Sequence, residues 1–244
     1  MISVDKVYQK VLALANKEQR GYITPQEFNL FADHAQMEIF EQYFYDLEQR
    51  QRAPGNELDY ADMVTNLEEK ISMFEISNQA VGLQTEGEVY ISSDIPDFYR
   101  LGNVSVAYSG GHKINADKIQ LNELNNYRNA PLAKWAKTRP VYSKFSTSIT
   151  PVVIKIYPQM DQMSVSISYI RKPKKPNWTY LIGSSRNALY NPSASDHNDF
   201  ELHNSEENDL VLKILQLAGI SIKDLQLAGV ATQQEMKTLQ QEKQ

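Results

Sequence analysis

The sequence contains no cysteine, which excludes an internal disulfide framework and thiolate-ligated metals and fits a reducing compartment. It also lacks long apolar runs, and no stretch reaches the ~20 residues that a spanning helix needs. Met1-Ile2-Ser3-Val4-Asp5-Lys6 has neither the basic nor the apolar segment of a secretory signal. A soluble protein without a membrane partner is therefore expected. The patterns GxSxG, GxGxxG and HExxH and the P-loop are missing. A lone SxxK match, Ser3 to Lys6, comes without its companion motifs. The sequons at Asn103 and Asn177 carry no meaning without secretion. No catalytic residue, metal or cofactor is assigned, and the expectation is a protein that is not an enzyme.

What is present is a chain of 244 residues, 41% hydrophobic and 23% charged, enough for one large domain or two small ones. Its net charge of −5 conceals a segregation. Residues 1–80 carry 7 Lys/Arg against 14 Asp/Glu, residues 81–190 carry 14 against 7, and residues 191–244 carry 4 against 9. An acidic, basic, acidic order suits matching within the molecule or between neighbouring copies.

The stretch from Thr24 to Arg52 dominates the N-terminal part. Thr24 is a good N-cap, Pro25 suits the first helical position, and Glu27 completes a capping box. Phe28, Phe31, Ala32, Ala35, Ile39, Tyr43 and Leu47 recur at helical spacing, and Phe40 and Phe44 widen the stripe beyond one face. Before it, Val4, Val7, Tyr8, Val11, Leu14 and Ala15 predict a helix over 3–17, ended by Gly21. After the Pro54-Gly55 turn, Asp59 can cap a third helix with the stripe Tyr60, Met63, Val64, Leu67, Ile71 and Phe74. Short connections predict an antiparallel helical layer.

After Gly82 strand patterns take over. Val89 and Ile91 alternate with polar residues, as do Val104, Val106 and Tyr108 ahead of a Gly110-Gly111 hairpin turn. Residues 116–127 are loosely periodic and read as a short helix. Residues 140–145, 152–157 and 165–170 are strands, for which an antiparallel meander is the simplest topology. Residues 181–204 read as loop, and Ser205 caps a helix through Leu217 with Gly219 as its C-cap. Residues 232–244 are polar, with a Thr232/Glu235 capping box but only Met236 and Leu239 to bury, which predicts a tail that orders on a partner. The fold class is thus α+β: an antiparallel helical layer, an inserted antiparallel β-sheet or sandwich, and an extended C-terminal tail. The expected divisions are a helical body over 1–80, a β-rich domain over 81–203, a returning helix over 204–229 and a tail over 230–244.

Two clusters carry potential chemistry. Asp196, His197, Asp199, Glu201 and His203 combine imidazoles with carboxylates, but their spacing matches no metal site, and a metal-dependent hydrolase is the weakest reading. Lys134, Lys137, Arg139, Lys144, Arg171, Lys172, Lys174 and Lys175 surround Trp135, Tyr142, Trp178 and Tyr180, a mixture that single-strand nucleic-acid binders use. The acidic whole weighs against that use; a solvated rim beside core aromatics is the preferred explanation, and an interface with acidic partner surfaces comes next.

Ile95-Pro96-Asp97-Phe98-Tyr99-Arg100-Leu101, Pro140-Val141-Tyr142, Ile154-Lys155-Ile156-Tyr157-Pro158 and Ile167-Ser168-Tyr169-Ile170-Arg171-Lys172-Pro173 follow one another in an order that resembles head-to-tail adaptor proteins of short-tailed phages. The segment from Val7 to Phe44, including residues 16–25, and Asp199-Phe200-Glu201-Leu202-His203 are similar to neck or ring proteins of crAss-like and related phages. The resemblance implies a virion protein assembled in the host cytoplasm as a homo-oligomeric ring, commonly of twelve copies. Its partners would be the portal protein, a downstream tail or ring protein, and DNA passing through the channel without sequence-specific binding. The helical part would form the ring body, and the C-terminal tail would dock on the portal. The basic middle segment departs from the neutral or acidic channel lining that sliding DNA favours, so residues 171–175 are placed away from the lumen. Partner contacts are assigned to Phe40 and Phe44, as surplus apolar surface of the long helix, to Lys174 and Lys175, and to Met236 and Leu239 of the tail. The alternative is a receptor- or carbohydrate-binding β module with Trp135, Trp178 and Tyr180 as its stacking platform.

Overall fold

The computed structural model describes residues 1–17, 23–52, 58–84, 87–108, 111–146, 152–160, 163–183, 188–221 and 236–237. The fold is α+β, and the chain divides into two compact units, residues 1–72 with 173–244, and residues 73–172.

The first unit holds helices α1 (Val4–Lys17), α2 (Pro25–Arg52), α3 (Leu58–Ser72) and α6 (Glu207–Ser221) with a two-stranded sheet of β9 (Tyr180–Ile182) and β10 (Ala188–Tyr190). The capping box opens α2 as its sequence predicts. The Thr24 N–H donates to Glu27 Oε2 at 3.0 Å, and the Glu27 N–H donates to Thr24 Oγ1 at 3.3 Å. The Thr24 N–H and the Thr24 hydroxyl, which donates to Glu27 Oε2 at 2.8 Å, hold the Glu27 carboxyl below its ordinary value.

Packed against α2 are α3 and α6, and α6 also packs on α1. Phe28, Ala32, Ala35, Ile39, Phe40, Tyr43 and Phe44 are all buried. The sequence pattern assigns Phe40 and Phe44 to contact with a neighbouring subunit. Instead they meet edge to face, 5.1 Å apart, inside the chain's own core. The second apolar face of α2 exists because this helix lies in the middle of its unit.

A buried polar residue interrupts that face. The amide of Gln36, fully buried, donates to the Lys174 carbonyl at 2.7 Å and accepts from the Glu201 N–H at 3.1 Å. The Glu201 carboxylate in turn accepts from the Lys174 N–H at 2.9 Å. This closed clip ties two returning segments to α2. Nearby, Tyr8 packs on Phe28 and Trp178 at 4.6 and 4.5 Å, and the Ile2 and Phe200 backbones pair. Residues 173–203 therefore belong to the helical unit, and the chain crosses back after 172 rather than after 203.

In the second unit, β1 (Glu75–Val81), β3 (Phe98–Tyr108), β4 (Ile114–Asn115) and β8 (Met163–Arg171) form a sheet of order β1-β8-β3-β4. A second sheet has the order β2-β7-β6-β5, from β2 (Glu88–Tyr90), β5 (Asp117–Ile119), β6 (Val141–Phe145) and β7 (Val153–Tyr157). Short helices α4 (Ile91–Asp94) and α5 (Leu124–Asn129) complete the unit. Val104, Val106, Val165 and Ile167 of the first sheet share one core with Val89, Tyr142, Ile154 and Ile156 of the second, as in a sandwich.

Three expectations change here. The three strands do not form a meander. β6 and β7 pair antiparallel, but β8 joins the other sheet. There the eleven residues of β3 offer its nine a longer ladder than the five of β7. Within 116–127, β5 runs parallel to β6 before the short α5, because Ile119 is drawn into the core. Finally, β1 begins well before Gly82 and bulges between Ile76 and Gln79, with Asn78 in the left-handed region at φ 56°. β3 bulges at the same level of β8, between Leu101 and Val104. Gly102 sits in that bulge, where a Cβ would lie 2.9 Å from the Ser168 carbonyl oxygen.

In the helical unit, the hairpin of β9 and β10 replaces part of the expected loop over 181–204, and α6 continues past Gly219 to Ser221. Gly21, Pro54 and most of the tail, including Leu239, lie outside the described residues.

Gln36→Leu keeps approximate volume but leaves the Lys174 carbonyl and the Glu201 N–H without their buried partner. Each orphaned group costs about 1–3 kcal/mol. Urea denaturation should show a midpoint drop corresponding to a loss of about 2–4 kcal/mol, and an unchanged midpoint would refute the clip.

Candidate functional site

The His/carboxylate loop disperses into separate structural tasks. Asp199 Oδ1 accepts from the Val4 N–H at 2.8 Å, at the first turn of α1. Glu201 belongs to the Gln36 clip. The His203 ring nitrogen accepts from the Ser205 N–H and caps the turn leading into α6. Asp196 accepts from the Asn177 amide at 3.1 Å. His197 Nε2 lies 3.4 Å from the Tyr190 hydroxyl and 3.7 Å from Asp199 Oδ1. Among the described residues no three His, Asp or Glu side chains converge as a metal requires.

The aromatic platform is not a surface either. Trp178 is buried, its indole N–H donates to Asp5 Oδ1 at 2.9 Å, and Tyr180 and Tyr190 stack on it at 5.8 and 5.7 Å. Burial, followed by the carboxylates of Asp199 and Asp5, pushes the Tyr190 phenol up. Trp135 belongs to the other unit and leans on Tyr157 at 4.9 Å.

Of the assigned partner contacts, Phe40 and Phe44 are core. Lys174 is held through its backbone and its side chain is exposed. Lys175 is exposed with Nζ 3.4 Å from Asp33. Met236 is helical and 52% exposed.

The structure adds one charged surface and draws part of the basic cluster of the sequence into another. The outer ridge of α2 carries Glu27, Leu30, His34, Glu38, Glu41, Tyr45 and Glu48, all exposed and within one helical face. At 1.5 Å per residue it is about 32 Å long. Residues 25–49 hold six carboxylates and no Lys or Arg, so the sign of this face is carried by the sequence itself.

The second surface lies within residues 111–146, a segment with seven Lys/Arg against two Asp/Glu. Leu132 stands there 97% exposed. It sits on a turn closed by the Lys134 N–H donating to the Ala130 carbonyl at 3.2 Å, followed by reciprocal backbone bonds between Ala136 and Arg139. Trp135 anchors the loop on Tyr157, and exposed Arg128, Lys134 and Lys137 accompany Leu132 along the segment.

An open groove of about 660 Å³ also runs between α1 and α6, lined by Ala13, Leu14, Val211 and Leu212 with Lys10 and Asp209. Lys10 is engaged with Glu207, as is Lys6.

Comparison with protein-family models gives no match, and comparison with curated proteins gives none either.

Hydrogen bonds from Lys10 and Lys6 lower the Glu207 carboxyl below its ordinary range. A depressed folded-state value contributes stability above the unfolded value, and that contribution disappears as pH falls through the folded value. Glu207→Gln should therefore be less stable than the parent at pH 7, with the gap closing on acidification below the ordinary glutamate range. Paired urea melts at pH 7 and pH 3 test this, and a gap of equal size at both would contradict it.

Proposed function

We propose that this chain is a non-catalytic virion protein that assembles as a ring between portal and tail and continues the DNA channel. The observation that carries the reading is the opposite sign of the two units. The helical unit, residues 1–72 and 173–244, holds 14 Lys/Arg against 22 Asp/Glu, whereas residues 73–172 hold 11 against 8. Copies related head to tail bring unlike surfaces together at every contact, and such contacts close into rings when the rotation permits. The resemblance of the β segments and of the opening helices to phage connectors names the assembly in which such a ring works. The weakly apolar tail with Met236 and Leu239 suits docking on the portal.

The purified chain, alone and with portal protein, should form closed oligomers by mass photometry and negative-stain electron microscopy. Removing residues 230–244 should leave a folded protein that no longer binds portal. A chain that stays monomeric at micromolar concentration, with and without portal, would reject the reading.

A further inference from the structure

The Leu132 surface and the outer ridge of α2 complement one another. Single exposed apolar residues are ordinary and need no explanation. Leu132 differs in being presented on a turn closed by its own backbone, braced by Trp135 against Tyr157. Little conformational entropy remains to be lost when a partner covers such a projection. Its cationic companions Arg128, Lys134 and Lys137 select for a partner of negative charge. The ridge of α2 supplies that charge: no Lys or Arg lies between residues 25 and 49, and of its carboxylates Glu38 is held by Lys213 Nζ of α6 at 3.0 Å. It also offers the exposed apolar side chains Leu30 and Tyr45, at 72% and 59%.

We infer that the Leu132 turn of one copy docks on the outer ridge of α2 of a second copy, with Lys134 and Lys137 meeting carboxylates that include Glu41 and Glu48. The contact is heterologous, because the two surfaces differ, so repeated copies propagate it around a ring or along a filament. A nucleic-acid backbone is the competing polyanion, but a projecting leucine adds nothing to a phosphate contact and the net charge of −5 opposes one. The inference deepens the connector reading and rests on it.

The test uses the full chain in sedimentation velocity and mass photometry, with and without portal protein. Leu132→Asp, the pair Lys134→Glu/Lys137→Glu and the pair Glu41→Lys/Glu48→Lys should each weaken self-association at least tenfold with unchanged circular dichroism. Mixing the two charge-reversed proteins, or combining all four changes in one chain, should restore association to within about threefold of the parent. Rescue distinguishes a docking surface from general loss of folding. If the parent oligomerises and none of these variants alters it, the inference falls while the connector reading stands. A parent that stays monomeric even with portal defeats both. Binding of the parent to duplex DNA that is lost in Lys134→Glu/Lys137→Glu, with self-association intact, also overturns the inference.

Discussion

The helical unit depends on one buried amide. Gln36 lies on the inner face of α2, where an apolar residue would satisfy the helical pattern equally well, yet it holds Lys174 from one segment and Glu201 from another. Every member of the clip has a partner, which is the condition for a polar group to be retained in a core without large cost. The described residues of 173–203 have little regular structure of their own apart from β9 and β10. Their polar groups find partners on α2 and at the N-terminal end of α1 instead: the Trp178 N–H donates to Asn29 Oδ1, Asp199 Oδ1 accepts from the Val4 N–H, and the Ile2 and Phe200 backbones exchange bonds. An irregular segment of this kind packs because fixed acceptors and donors on the helices await it.

The parts that were legible in the sequence are those governed by local chemistry. Thr24, Pro25 and Glu27 announce the start of α2, and the apolar periodicity of α1 and α2 gives their inner faces. The parts that were not legible are decided at a distance. β1 shows no alternation because most of its residues are exposed at a sheet edge. The choice of β8 between two sheets depends on the length of β3, some sixty residues earlier in the chain. Phe40 and Phe44 read as surplus because periodicity counts apolar residues without saying whose surface covers them. Asp199 and His203 share the residue types of a metal site, and the sequence does not reveal that each is aimed at a separate backbone N–H.

On the proposed reading, electrostatics rather than apolar area selects the partner. The outer ridge of α2 is a solvated helix face, and the exposed carboxylates along it are individually weak contributors. Collectively they set a sign. Screening over about 8–10 Å at physiological ionic strength leaves that sign effective only at close approach, so assembly of this kind is salt-sensitive and oriented. The apolar side chains Leu132, Leu30 and Tyr45 then supply the burial that charge alone lacks.

The paired bulges that flank β8 have a further consequence. A protein that gathers many copies of itself brings every free strand edge close to its duplicates, and a flat edge under those conditions seeds indiscriminate strand pairing. With Asn78 turned to positive φ and its neighbours out of step, β1 presents no continuous ladder for a like strand to extend. On the proposed reading, contacts among sister molecules are thereby left to side-chain surfaces that can discriminate.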